Sequence, residues 1–376
     1  MLPFDGVREG ARMGPLANIR VIELVGLGPA PFCAMMLSDM GADVVCIERK
    51  SDTPLDFLSD ADGFMARGRH KIALDLKDAK DQAHLRELLH HADVLMEGFR
   101  PGVMERLGLG PDVCLAANPR LIYARMTGWG QEGPMARQPG HDINYLALSG
   151  TLDMIGDARS PVIPLNLLGD FGGGGMYLAF GIVCALLERT RSGQGQVVDA
   201  AIVDGVASLS IFIHGLMAAG QWQAPRGGNV LDGGAPFYTL YETSDHRHIA
   251  VGAIEGKFFA NLLTKLNVSE ISPSDQWKRA GWPDMRRRFR SIFATRTRYE
   301  WQTVFEGSEA CVSPVLTLEE AQNDPHNVAR KLFANVGSHL EAAPAPRFSR
   351  TAPKIQETLE DTLDAVLARW ADMSDP

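Results

Sequence analysis

Cysteine is scarce and scattered in this chain: Cys33, Cys46, Cys114, Cys184 and Cys311 make five in all. An odd count with no CxxC pair fits no disulfide framework, so reduced thiols in a cytoplasmic compartment are expected. A basic surplus is also missing. Lys and Arg total 37 against 46 Asp and Glu, giving a net charge of −9. That argues against a nucleic-acid binder. No Walker-type loop and no G-x-S-x-G elbow occurs. His246 and His248 alternate on an expected strand, but no third ligand has suitable spacing, so no metal is expected. The first dozen residues lack the apolar core of a signal peptide. The longest apolar run, Phe171 to Leu187, is Gly-rich at its start and short for a membrane span. It reads as a buried helix, with no membrane partner.

What is present is an ordinary enzyme-like composition, 45% hydrophobic and 22% charged over 376 residues. Strand-like and helix-like segments alternate along the first half. Ile19–Leu24 reads as a strand, Pro31–Met40 as a helix and Ala42–Glu48 as a second strand. Lys71–Leu76, Val94–Glu97 and Leu121–Thr127 continue the pattern. Such alternation predicts an open α/β sheet of Rossmann-like type. Residues 171–190 and 200–220 read as long apolar helices. After Arg226-Gly227-Gly228 a hairpin and short helices suggest a smaller α+β domain. The expected layout is a disordered extension at 1–13 and a large domain at 14–200. Linking helices follow at 201–235, a small domain at 236–325, and a return segment with a C-terminal helix at 326–376.

Three groups of residues carry chemistry. Gly26-x-Gly28-x-x-Pro31 mimics a dinucleotide fingerprint but lacks its third glycine, so a plain strand–helix turn is the better reading. Arg49 and Lys50, then Arg67, Arg69, His70, Lys71 and Lys77, then Arg100 and Arg106, lie at or near strand ends. Cations there suit a phosphorylated nucleotide, and equally suit a solvated loop. His141 and Asp142 follow Gly140, and Asp170 precedes four glycines, Gly172–Gly175. Each acidic residue alone reads as a helix cap. Together, an imidazole and a carboxyl in Gly-flanked turns can trade protons near neutral pH. The glycine run would let backbone approach a ligand and direct N–H groups at a developing oxyanion.

Several longer stretches then match a known pattern. Gly140-His141-Asp142-Ile143-Asn144-Tyr145 and Pro164-Leu165-Asn166-Leu167-Leu168-Gly169-Asp170-Phe171 closely resemble the α-methylacyl-CoA racemase family. So do Leu231-Asp232-Gly233-Gly234-Ala235-Pro236-Phe237-Tyr238, Glu97–Val103 and Val251–Glu255. That family has the family III CoA-transferase (CaiB-BaiF) fold. The resemblance runs from about Gly14 to about Arg350. It implies an interlocked homodimer whose active site is shared between subunits. It implies that (R)- and (S)-2-methylacyl-CoA thioesters interconvert by 1,1-proton transfer through an enolate, with His141 and Asp170 as the two bases. Asp142 and Glu255 match the residues that orient them. Arg49, Leu74, Leu76, Gly98, Arg100 and Arg106 match positions that hold CoA. Asn166 and Tyr238 match acyl-pocket residues, and Leu27, Phe32, Met36 and Leu231 are apolar candidates for its walls. No cofactor is implied, since CoA belongs to the substrate. The alternatives are a CoA transferase using Asp170 as a nucleophile, a non-catalytic CoA-binding protein and a nicotinamide dehydrogenase.

Overall fold

The computed structural model of the chain describes residues 13–50, 64–222, 225–337 and 339–372. The expected extension at 1–13 therefore lies outside the described residues, except for Met13. The chain divides into two compact units. The larger comprises Met1–Ser149, Pro164–Ser210 and Ala334–Pro376, and the smaller Gly150–Ile163 and Ile211–Phe333. Residues 150–163 thus cluster with the smaller unit, although the sequence places them in the larger one.

The larger unit is built on a seven-stranded, wholly parallel sheet. Its strands are β1 (Arg20–Leu24), β2 (Asp43–Glu48), β3 (Arg69–Ala73), β4 (Val94–Glu97), β5 (Ile122–Thr127) and β6 (Gln196–Ala201), with a short C-terminal strand at Leu359–Glu360. The order is C-terminal strand, β3, β2, β1, β4, β5, β6. Strands β1, β2 and β4 are buried almost throughout and are rich in Val, Ile and Leu. That is the pattern of a sheet covered on both faces. The order reverses between β1 and β4, which places a crevice outside their carboxyl ends.

The helix after β1, Pro29–Asp39, starts with Pro at its first position, where the missing N–H costs nothing. The helix Ala79–His91 is capped by Asp78, whose side chain accepts from the Lys80 and Asp81 N–H groups. At the C-terminus, Arg369 and Trp370 bind the buried Asp43 carboxylate at 2.7 and 2.9 Å. Asp361 takes a further bond from Arg369 at 2.8 Å. These contacts fix the last helix to the sheet.

Two readings change. Residues 200–220 are not one helix: Gln196–Ala201 is the sixth strand, followed by helices Ile202–Leu209 and Ile211–Ala218. Gln196–Ala201 shows no polar–apolar alternation and runs straight into the apolar residues that follow. The second change concerns the glycine run. Residues 165–192 form one continuous helical stretch, with a wide π-type segment at Leu168–Gly175. Gly173, Gly174 and Gly175 are buried. A Cβ on Gly174 or Gly175 would sit 2.9 Å from Pro29 Cβ or 2.7 Å from the Pro29 carbonyl, and one on Gly173 only 2.6 Å from Val206. Gly173–Gly175 therefore let helices cross closely. The stretch is apolar enough to pass as a membrane span by composition. Its buried glycines and the side chains of Leu178, Ile182 and Leu186 pack within the larger unit.

The smaller unit has its own core around Phe237, Phe259, Phe289, Phe293 and Trp282. A three-stranded antiparallel sheet, β7 (Tyr238–Glu242), β8 (His248–Gly252) and β9 (Val312–Pro314), backs it. His246 lies in the β7–β8 turn beside Glu242 at 2.7 Å, off the strand that carries His248.

Candidate active site

A crevice opens where the sheet order predicts it. Its volume is about 840 Å³. Leu24 and Val25 follow β1, Ile47–Lys50 end β2, Leu74–Lys77 follow β3, and Phe99, Arg100, Val103, Arg106 and Leu107 follow β4. Five of the six residues expected to hold CoA line it: Arg49, Leu74, Leu76, Arg100 and Arg106. Gly98 does not line it, and packs instead near Ala30 and the Met126 carbonyl. The lining mixes apolar side chains with the cations Arg49, Lys50, Lys77, Arg100 and Arg106, and Glu48 and Asp75 are its acidic members.

The broader cation set resolves differently. Arg67 binds Asp39 at 2.5 Å and Glu341 at 2.8 Å. Arg69 binds Glu23, His70 binds Asp361, and Lys71 binds Glu48. These cations hold the fold together, and of this group only Lys77 reaches the crevice. Sequence order could not separate them, because most of their partners, Asp39, Glu341, Glu23 and Asp361, come from distant segments.

Beside this crevice the structure gathers the acid–base pair. His141 caps the helix Asp142–Leu148, and its backbone N–H donates to the Asn144 side chain at 3.0 Å. Asp142 does not act as a cap. Its carboxylate accepts the Asp170 N–H at 2.7 Å and also the Gly169 N–H. It therefore ties the His141 helix to the segment bearing Asp170. Those two amides, just before the glycine run, are therefore occupied.

Asp170 is held in an environment that resists charge. Burial, and then the neighbouring Asp142 carboxylate, push its pKa up to about 6. A hydrogen bond from Asn166 and the influence of His141 act in the opposite direction. His141 and Asp170 are thus within electrostatic reach of each other. Asn166, expected to line an acyl pocket, bonds directly to the Asp170 carboxyl. Tyr145 is also drawn in. Burial, then Asp170, raise its hydroxyl to about 12, while Arg100 of the crevice lowers it. The crevice and the carboxyl pair therefore adjoin.

Gly28 is a residue the sequence reading undervalued. It caps the Pro29–Asp39 helix at φ +70°, a conformation that favours glycine. A Cβ there would lie 3.0 Å from Asp170 Oδ2. The second glycine of the partial fingerprint therefore makes room for a carboxyl and not for a pyrophosphate. The ring of Phe171 stacks on Phe32 at 4.6 Å, which fixes the chain on the other side of Asp170. Leu27 stands exposed nearby in the chain.

In the smaller unit, Glu255 is exposed and precedes the helix Gly256–Lys265. Tyr238 is half-buried on β7 and Leu231 is exposed. Asp232 organises the turn around them, accepting from the Gly227, Asn229 and Gly234 N–H groups at 2.8, 2.8 and 3.1 Å. Among the described residues no group of three His, Cys, Asp or Glu is placed as metal ligands.

A parallel sheet with a crevice at its switch point, and a raised Asp170 carboxyl within reach of His141, gives the class: an α/β enzyme. The match is specific: residues 16–361 fit the model of CoA-transferase family III, and the chain belongs to that family. It is 50% identical to the mouse α-methylacyl-CoA racemase over 338 residues, 89% of this chain and 87% of that protein. The human α-methylacyl-CoA racemase is 47% identical over the same coverage. A CAIB/BAIF family protein from Brucella suis shares the fold, with a TM-score of 0.79 at 22% identity over 96% of this chain and 100% of the other.

Proposed function

We propose that this enzyme racemises 2-methylacyl-CoA thioesters by a two-base proton transfer. His141 and Asp170 serve as the bases, and the CoA nucleotide lies in the crevice bordered by Arg49, Arg100 and Arg106. The observation that carries the reading is the bond from the Asp170 N–H to Asp142 at 2.7 Å, which ties the half-buried Asp170 carboxyl to the helix that His141 caps. One group removes the α-proton and the electron pair moves into the thioester as an enolate. The other group then returns a proton to the opposite face, and no further reactant is needed. The relatives at 50% and 47% identity support the substrate class.

A family member can instead use the aspartate as a nucleophile toward the thioester, forming a mixed anhydride. Such a nucleophile has no need of a second base, and the presence of His141 beside Asp170 favours racemisation. Incubation of (R)- or (S)-2-methylacyl-CoA in D₂O separates the two. Deuterium is expected at the α-carbon, with loss of optical purity and no added acid. Exchange that requires a second carboxylate, or accumulation of acyl-Asp170, hands the case to the transferase.

The enzyme in this reading is an interlocked homodimer in which the partner subunit's Glu255 completes the site. One face of the helix Met176–Ser192 supports it. Met176, Phe180, Val183 and Leu187 recur at helical spacing and are exposed, Phe180 by 69% and Leu187 by 64%. An apolar stripe of this kind marks a protein interface. Phe180→Asp is expected to convert the protein to a monomer in light scattering and to remove racemisation. A dimeric, active variant would sink this placement of the interface. The assignment to the cytoplasm rests on the five free cysteines.

A further inference from the structure

Behind the turn that follows β4 lies a buried ion network that never enters the crevice. Glu97, at the end of β4, is 1% exposed. One of its oxygens accepts the Phe99 N–H at 2.7 Å. The other accepts from Arg125 Nε at 3.0 Å. Arg125 stands on the neighbouring strand β5, is 7% exposed, and passes a second bond from Nη1 to Glu105 at 2.9 Å. Glu105 sits on the short helix Val103–Arg106, one residue before Arg106. Two residues before Arg125, and so on the same face of β5, the Tyr123 hydroxyl donates to the Leu109 carbonyl at 2.9 Å.

We infer that Arg125 and Glu105 are positioning residues for CoA, acting through the turn from Gly98 to Leu109 without touching the ligand. This rests on the assignment of CoA to the crevice. The turn supplies Phe99, Arg100, Val103, Arg106 and Leu107 to the lining. Its sequence, with Gly98, Pro101, Gly102 and Gly108, has little stiffness of its own at the glycines. Its geometry is set from below at three points: Glu97 at the entry, Glu105 in the middle and Tyr123 at the exit. A guanidinium suits this work, because its planar fork can hold two carboxylates at fixed angles. Holding Arg100 and Arg106 in place before the ligand arrives lowers the ordering cost of binding. The two bases lie on other segments, so loosening the turn should weaken binding and leave the chemical step alone.

The test uses Glu105, which is half-exposed and so is replaced with little risk to folding. Glu105→Ala is expected to weaken CoA binding by about tenfold in calorimetry, raising KM for the thioester to match while kcat stays constant. Glu105→Gln, which keeps an acceptor for Arg125, should recover most of the affinity. Arg125→Lys offers a second route, since a single ammonium replaces the two-armed fork, and it should show the same split between KM and kcat. If Glu105→Ala and Arg125→Lys both bind CoA within about twofold of the parent, the positioning role is wrong. A fall in kcat equal to the rise in KM would also overturn it. Arg106→Ala in the same series guards the underlying reading: if it too leaves CoA binding unchanged, CoA does not occupy this crevice.

Discussion

Asp170→Asn is expected to abolish racemisation, with a fall of about 10³-fold or more, while CoA binding stays within about twofold of the parent. The amide cannot take or deliver the α-proton, but it fills the same space against Gly28 and keeps a partner for Asn166. The change should also alter stability, in a direction the site itself dictates. The folded protein holds the Asp170 proton more tightly than an exposed aspartate does, with its pKa raised from 3.8 to about 6. Stability linked to this group is therefore fully present below pH 3.8 and lost as pH rises through about 6. At pH 8 the charged carboxyl opposes folding. The full linkage is about 3 kcal/mol, and water at this half-buried group reduces it to about 1 kcal/mol. Asp170→Asn should thus melt above the parent at pH 8, with the gap closing near pH 4. A variant that is inactive and less stable at pH 8 would show that Asp170 serves the fold.

The comparison of sequence with structure turns on which residues report locally. Strands β1, β2 and β4 were legible because a sheet covered on both faces writes itself as short segments rich in Val, Ile and Leu. The crevice was legible too, since cations after β2 and β4 fall at the carboxyl ends of an open sheet. Strand β6 was not, because it runs straight into an apolar helix and no turn residue marks the boundary. The packing role of Gly173–Gly175 was not legible for a different reason. A glycine that admits a ligand and a glycine that admits another helix look alike in sequence, and only the crossing at Pro29 and Val206 separates them. Asp142 likewise resembled a cap, and its real partners are amides 27 and 28 residues downstream. Charges on and just before β3 posed the same problem. Arg67, Arg69 and Lys71 read as ligand-binding cations until the structure showed each one matched to a buried or half-buried carboxylate.

His141→Ala should lose racemisation as completely as Asp170→Asn, yet the two variants should differ in what they still exchange. With His141 gone, Asp170 still faces one side of the α-carbon. It can remove the proton from the enantiomer presented to it and return deuterium to the same face. One enantiomer therefore gains α-deuterium slowly with its configuration kept, and the other gains none. Asp170→Asn reverses the pairing, since His141 alone remains. The same logic constrains pH dependence in the parent. One direction needs neutral His141 with protonated Asp170, and the other needs the charged pair. These two states carry the same number of protons and interconvert by moving one of them. The pH profiles of kcat/KM in both directions should then be bell-shaped with the same two apparent pKa values, which belong to the pair and not to either residue. Profiles with different limbs in the two directions, or exchange of both enantiomers by either variant, would mean that one base serves both faces.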